Sequence, residues 1–158
     1  MAERLSILVG TMTGTAQLVA EEVADAVKAQ GVAADIQVMD GLDAGIFTPG
    51  GAFLICSSTY GQGDVPDNAQ RLFADLEQKK PDLAHIVYGV IALGDRTYAQ
   101  TFCFGGKRFD ALLQSLGARR IGEIMLHDAS AGTIPEEVAV EWIGPWLDQF
   151  REARDEAA

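Results

Sequence analysis

Three stretches of this chain lack the alternation that a half-exposed strand needs: "RLSILVG" (4–10), "GAFLICSST" (51–59) and "IVYGVIALG" (86–94). A strand with one wet face alternates polar and apolar residues, so an unbroken apolar run must be covered on both faces. Segments with helical periodicity separate these runs. Alternation of strand and helix then leaves one economical solution, a parallel sheet with helices packed on both sides.

The chain reads as five strand–helix steps. Residues 14–30 form a first helix, with Ala16, Val19, Ala20, Val23 and Val27 on one face and Gly31 as its stop. A second strand, "AADIQVMD" (33–40), shows some alternation and belongs at an edge. Helices are expected over 66–79 and 106–116, and a fifth strand over "RIGEIMLHD" (120–128). The last helix begins at Pro135, with Glu136 and Glu137 opposing the positive end of its dipole. Its apolar stripe of Trp142, Ile143, Trp146, Leu147 and Phe150 reads as core. A kink is expected at Gly144–Pro145, and residues 151–158 read as a frayed end after a single domain over 1–150.

Totals exclude several classes. A chain of 158 residues is long enough for one self-sufficient core. Its net charge of −11 opposes nucleic-acid binding, which needs a basic patch. Its apolar runs fall well short of the ~20 residues of a membrane helix. The N-terminus lacks the layout of a signal peptide, so a cytoplasmic location is expected. Cys56 and Cys103 stand alone, without the Cys/His clustering of a zinc or iron–sulfur site, so no metal is expected. Cys56 reads as core, and His85 and His127 as surface or strand-end residues.

Ligands of such sheets bind beyond the carboxyl ends of the strands. Three unusual loops emerge there. In "TMTGTA" (Thr11–Ala16), Gly14 lets the backbone turn tightly and the threonine hydroxyls add donors to a helix N-terminus. That suits a phosphate; simple helix capping by Thr11 or Thr13 is the other reading. The loop is neither a Walker A nor a GxGxxG motif. "SSTYGQGDVPDN" (57–68) carries Tyr60 at its tip, with Gly61 and Gly63 bracketing Gln62. "LGDRTYAQTFCFGGK" (93–107) carries Tyr98, Phe102 and Phe104. Two tyrosines beside a phosphate loop could sandwich a flat ring, so the implied ligand is a mononucleotide shape.

These three motifs, in this order, resemble those of flavodoxins. Thr11–Ala16 is similar to their T-x-T-G phosphate loop. "STYGQGDVPDN" and "LGDRTY…FC" with "GGKRFDALLQSLGA" resemble the two flavin loops, also found in the FMN domains of diflavin reductases. The likeness spans about Ile7 to Phe150 and is similar to the MioC-type short-chain form. It implies a three-layer αβα sandwich whose five parallel strands run in the order 2-1-3-4-5. It implies FMN held without a covalent link, its phosphate cradled by Thr11, Met12, Thr13, Gly14, Thr15 and Ala16. Ser58, Thr59, Tyr60 and Gly61, with Gly63 beyond them, would line one side of the ring. Leu93, Gly94, Asp95, Tyr98, Phe102 and Cys103 would line the other, with Asp128 at the periphery. One departure stands out: three residues, Ala99, Gln100 and Thr101, separate Tyr98 from the Phe-Cys pair where relatives place two.

The resemblance further implies an electron carrier, not an enzyme. It would take electrons from an NAD(P)H-dependent flavodoxin reductase, pass them to a separate redox enzyme, and work as a monomer. Asp64, Asp67, Asp95 and Asp128 would ring the flavin edge as a docking surface. A cation-free phosphate loop in a chain at −11 is expected to hold the flavin at low potential. Two rival readings are a flavin-dependent reductase acting directly on a small substrate such as a quinone, and a phosphoacceptor receiver domain. The first needs a nicotinamide site. The second needs an Asp at the end of strand 3, where this chain has Ser57-Ser58.

Overall fold

A computed structural model of the chain describes residues 4–11, 14–48, 50–58, 67–94 and 103–157. The elements follow in order: β1 (Arg4–Gly10), α1 (Thr15–Ala29), β2 (Ala33–Val38), β3 (Gly51–Ser57), α2 (Asp67–Lys79), β4 (Ile86–Gly94), α3 (Phe104–Ser115), β5 (Arg119–Arg120), β6 (Met125–Asp128) and α4 (Pro135–Ala157). Short 3₁₀ turns occupy Ala44–Phe47 and Ala129–Ala131.

All pairings are parallel, in the order β2-β1-β3-β4-β5, with β6 also paired to β4. The order expected from the resemblance is therefore the one observed. β1, β3 and β4 are central and buried along nearly their whole lengths, whereas β2 is half-buried at the edge. Period-two alternation sorts their side chains into two cores. Leu5, Ile7, Val9, Leu54 and Cys56 pack under α1 and α4; Leu8, Phe53, Ile55, Tyr88 and Val90 pack under α2 and α3. Cys56 is core, as read, and burial pushes its thiol up to about 12.

The fifth strand differs from the expected run over 120–128. Tyr88 pairs with Arg120 and Ile91 with Met125, so four residues, 121–124, stand opposite two of β4. The bulge has a cause in α4. Gly89 leaves no room for a side chain, since a Cβ there would lie 2.5 Å from Trp146 Nε1. The indole fits against that bare backbone and donates from Nε1 to the carbonyl of Ile121 at 2.9 Å. Gly122 then turns at φ +68, a conformation that suits glycine. The strand resumes only at Met125.

α3 begins two residues earlier than expected. Its glycine pair lies inside the first turn because a Cβ on Gly106 would meet that of Ala92 at 2.5 Å. The glycines thus serve close helix–strand approach. α4 remains one helical element through Gly144–Pro145, and its stripe is core as read: Ile143, Trp146, Leu147 and Phe150 are buried. Where the sequence suggests fraying, the helix continues to Ala157. Arg151 donates to the carbonyl of Gln30 at 2.6 Å, and Ala153 joins the core.

Candidate functional site

The site is built from the carboxyl edge of β1, β3, β4 and β6. At the end of β1, Gly10 is hemmed in by Ala69 Cβ, Ser57 Oγ and Met39 Sδ, each 3.2–3.3 Å from where a Cβ would sit. The chain leaves this crowded point as loop one. Its first amide, Thr11 N, donates to Asn68 Oδ1 at 2.8 Å, and Ser58 N donates back to the Gly10 carbonyl at 2.9 Å. Loops one and two are therefore tied together at their roots. Asn68 is a residue that sequence reasoning passed over; its only signal was a short amide at the start of α2.

The Thr11 hydroxyl accepts from Gly14 N at 2.9 Å, which closes the loop; Gly14 itself is the N-cap of α1 and no side chain caps the helix, so the capping role left open for Thr11 is not realised. An acceptor hydroxyl still has its own O–H to donate, so this loop bond and anion binding do not compete. Gly14 takes φ +92 with nothing within 4 Å of an added Cβ, and α1 begins at the next residue. The first intrahelical bond is Leu18 N to the Gly14 carbonyl, so the amides of the turn before it form the positive end of the helix. No acidic side chain occupies that turn, in contrast to α4, where Glu136 and Glu137 do. A nest of donors without a carboxylate fits a phosphate. Thr15 is exposed at its rim, while Ala16 is buried and its carbonyl accepts from Cys56 Sγ at 3.3 Å.

Loop three begins at Gly94 and ends at Cys103, and these two residues touch. A Cβ on Gly94 would lie 2.5 Å from Cys103 N and 3.0 Å from its Cα. Cys103 adopts the left-handed conformation, φ 57, one of two non-glycine residues to do so among the described residues. It is fully buried. Its thiol reaches the carbonyls of Ala92, at 3.3 Å, and His127, at 3.5 Å, and so bridges β4 and β6. Leu93 is buried just before this junction. Gly94 is in register with Asp128, which ends β6 at the same edge. The Asp128 carboxylate accepts from Ser130 N at 2.9 Å and Ser130 Oγ at 2.7 Å. His127 is at a strand end, as expected, but buried, with Nε2 3.0 Å from Thr133 Oγ1.

Of the residues singled out in the sequence, Thr11, Gly14, Thr15, Ala16, Ser58, Leu93, Gly94, Cys103 and Asp128 lie at this one edge. Met12, Thr13, Thr59, Tyr60, Gly61, Gly63, Asp95, Tyr98 and Phe102 lie outside the described residues, as does Asp64. Among the described residues, no three His, Cys, Asp or Glu side chains converge to hold a metal, and no helix is long and apolar enough to cross a membrane.

Comparison with known proteins agrees with this geometry. Residues 7–142 match the flavodoxin family model. Flavodoxin YqcA of Escherichia coli (strain K12) is 42% identical over 146 residues, covering 92% of this chain and 97% of the relative. Protein MioC of the same strain is 33% identical over 150 residues, covering 93% and 98%. Among solved structures, a cysteine-to-alanine mutant of flavodoxin from Pseudomonas aeruginosa superposes with a TM-score of 0.84 at 32% identity, covering 94% of this chain and 99% of that one.

Proposed function

The chain belongs to the flavodoxin family, and on that premise we propose that it binds FMN without a covalent link and relays single electrons. The donor would be an NAD(P)H-dependent flavodoxin reductase and the acceptor a separate redox enzyme. Membership of the family makes it a flavin protein of electron transport, a carrier with redox partners rather than an enzyme. The alternative, direct reduction of a quinone, is not favoured by this kinship.

The observation that carries the choice of FMN is the start of α1. Thr11, Gly14 and the amides of a carboxylate-free first turn offer donors to a phosphate, which FMN has and riboflavin lacks. In the proposal Met12, Thr13, Thr15 and Ala16 complete that cradle. Ser58, Thr59, Tyr60, Gly61 and Gly63 line one side of the ring. Leu93, Gly94, Asp95, Tyr98, Phe102 and Cys103 line the other, and Asp128 stands at the edge. When bound, the flavin supplies the redox chemistry. The chain's own residues anchor its phosphate and clamp its ring, and the loop that holds the phosphate contains no cation. Both cysteines are buried and neither forms a disulfide, which accords with work as a monomer in the reducing cytoplasm.

The purified protein is expected to be yellow, and the pigment released by heating to migrate as FMN. Apoprotein titrated with flavin should quench FMN fluorescence at far lower concentration than it quenches riboflavin. A preparation that takes up neither flavin, or binds both equally, would overturn the assignment. Rapid reduction by NADPH alone, without an added reductase, would overturn the carrier role in favour of the direct reductase.

A further inference from the structure

α1 and α4 lie side by side on one face of the sheet. Between their N-terminal halves runs an open groove of about 600 Å³, lined by Ile134, Val140, Glu22, Glu136, Glu137 and Glu141. Its floor is apolar and exposed: Ile134 is 50% and Val140 38% accessible. Leu18, 55% accessible, stands one turn before Glu22 on the same face of α1. These are three of the five large apolar side chains left exposed among the described residues. Four carboxylates share the groove with Ile134 and Val140, and among the described residues no cation lines it.

We propose that this groove is a docking surface for a basic protein partner, one that presents an apolar side chain ringed by lysine or arginine. Ordinary helix chemistry accounts for only part of the cluster. Glu136 and Glu137 oppose the dipole of α4 in its first turn, but Glu22 and Glu141 lie well beyond any first turn, where that effect has faded. Nor does it account for the exposed apolar floor. The carboxylates do not converge on a metal site; they are spread over two helices, which suits an extended cationic surface. Phosphate-bearing partners, nucleic acid or anionic lipid, meet the wrong charge. An apolar centre inside a charged rim is the layout of a protein–protein contact. Glu22 lies about 12 Å along α1 from Gly14, so a protein seated here borders the carboxyl edge. The surface does not depend on which flavin is bound, and its four carboxylates are other residues than the Asp64, Asp67, Asp95 and Asp128 expected at the flavin edge.

The test uses the purified holoprotein and a fluorescein-labelled peptide, acetyl-Lys-Arg-Leu-Leu-Arg-Lys-amide, at about 20 mM salt, where screening is weak. Fluorescence anisotropy gives the Kd, and amide shifts map the contact. Ile134→Ser/Val140→Ser, which keeps every charge, and Glu137→Gln/Glu141→Gln are each expected to raise Kd at least fivefold. Glu77→Gln/Glu152→Gln removes the same charge elsewhere and should change it less than twofold. Shifts should centre on Leu18, Glu22, Val140 and Glu141. An equal loss of affinity in the control pair would overturn the proposal, since attraction would then be to the acidic chain at large. Shifts centred on other segments, or no saturable binding, would overturn it too. Flavin content and the visible spectrum of each variant report folding independently, so loss of the flavin reading and loss of this one are distinguishable.

Discussion

Replacement of Gly94 by alanine tests how the flavin loop is held. The added Cβ would stand 2.5 Å from Cys103 N, 3.0 Å from its Cα and 3.1 Å from its Sγ. Ordinary contact begins near 3.4 Å, so the two ends of loop three must separate by close to an ångström. The nearest atoms are backbone, which has no rotamer to swing aside. Cys103 is also fixed from behind by its thiol contacts to β4 and β6. Overpacking of this kind costs about 1–3 kcal/mol. If the strain is relieved by opening the loop, and FMN binding must close it again, the penalty appears in affinity: roughly 5- to 150-fold in Kd. Fluorescence titration of apoprotein with FMN reads this directly, and urea unfolding of the same apoprotein shows how much of the strain remains without flavin. Adding Cys103→Ala removes only the sulfur contact, so it should not restore affinity. An unchanged FMN Kd in Gly94→Ala would refute the reasoning. Full rescue by Cys103→Ala would place the clash in the side chain instead of the backbone.

Two further outcomes follow from the site and the core. Thr15→Lys puts a cation at the exposed rim of a loop that has none. At about 8 Å and an effective dielectric near 20 its interaction with the reduced anionic ring is ~2 kcal/mol. The potential for that one-electron step should rise by roughly 90 mV; an unmoved value in spectroelectrochemistry would end the electrostatic account. Tyr88→Phe removes a buried donor that reaches Asp110 Oδ1 at 2.7 Å, while Arg120 and Gln114 still hold that carboxylate. The loss should be about 1–3 kcal/mol by urea unfolding at pH 7. Burial, then the Asp110 carboxylate, raise the Tyr88 phenol above its ordinary value. Its contribution is therefore complete below the unfolded value of about 10 and fades as pH climbs past it, so the gap between wild type and variant should narrow at about pH 11. A gap that widens there would contradict the assignment.

The strands that carry the site were legible because burial on both faces leaves an unmistakable pattern, and the tight turn into α1 because Gly14 can take the φ of +92 it needs. What escaped depends on partners distant in sequence. Nothing within "RIGEIMLHD" announces a bulge except Gly122; the carbonyl of Ile121 turns toward Trp146, 25 positions away. The glycine pair of α3 looks like a helix breaker until Ala92 is set against it. Cys103 in a left-handed conformation could not be foreseen, since local propensity argues against it. Asn68 drew no notice because its partner is the backbone of another loop. Near the end of α4, Arg151 and Ala153 find their partners at the end of α1 and in the core, far off in the sequence.

The junction of Gly94 with Cys103 also bears on how this protein can change. Because the excursion from β4 departs and returns at one place, its length is decoupled from the sheet. Lengthening a closed excursion of this size by one residue adds only about 0.1 kcal/mol of closure entropy. An added residue anywhere between Gly94 and Cys103 thus burdens neither β4 nor α3. Selection can lengthen, shorten or rewrite the segment proposed to face the pigment, retuning its colour and reducing power, while the scaffold beneath inherits no debt.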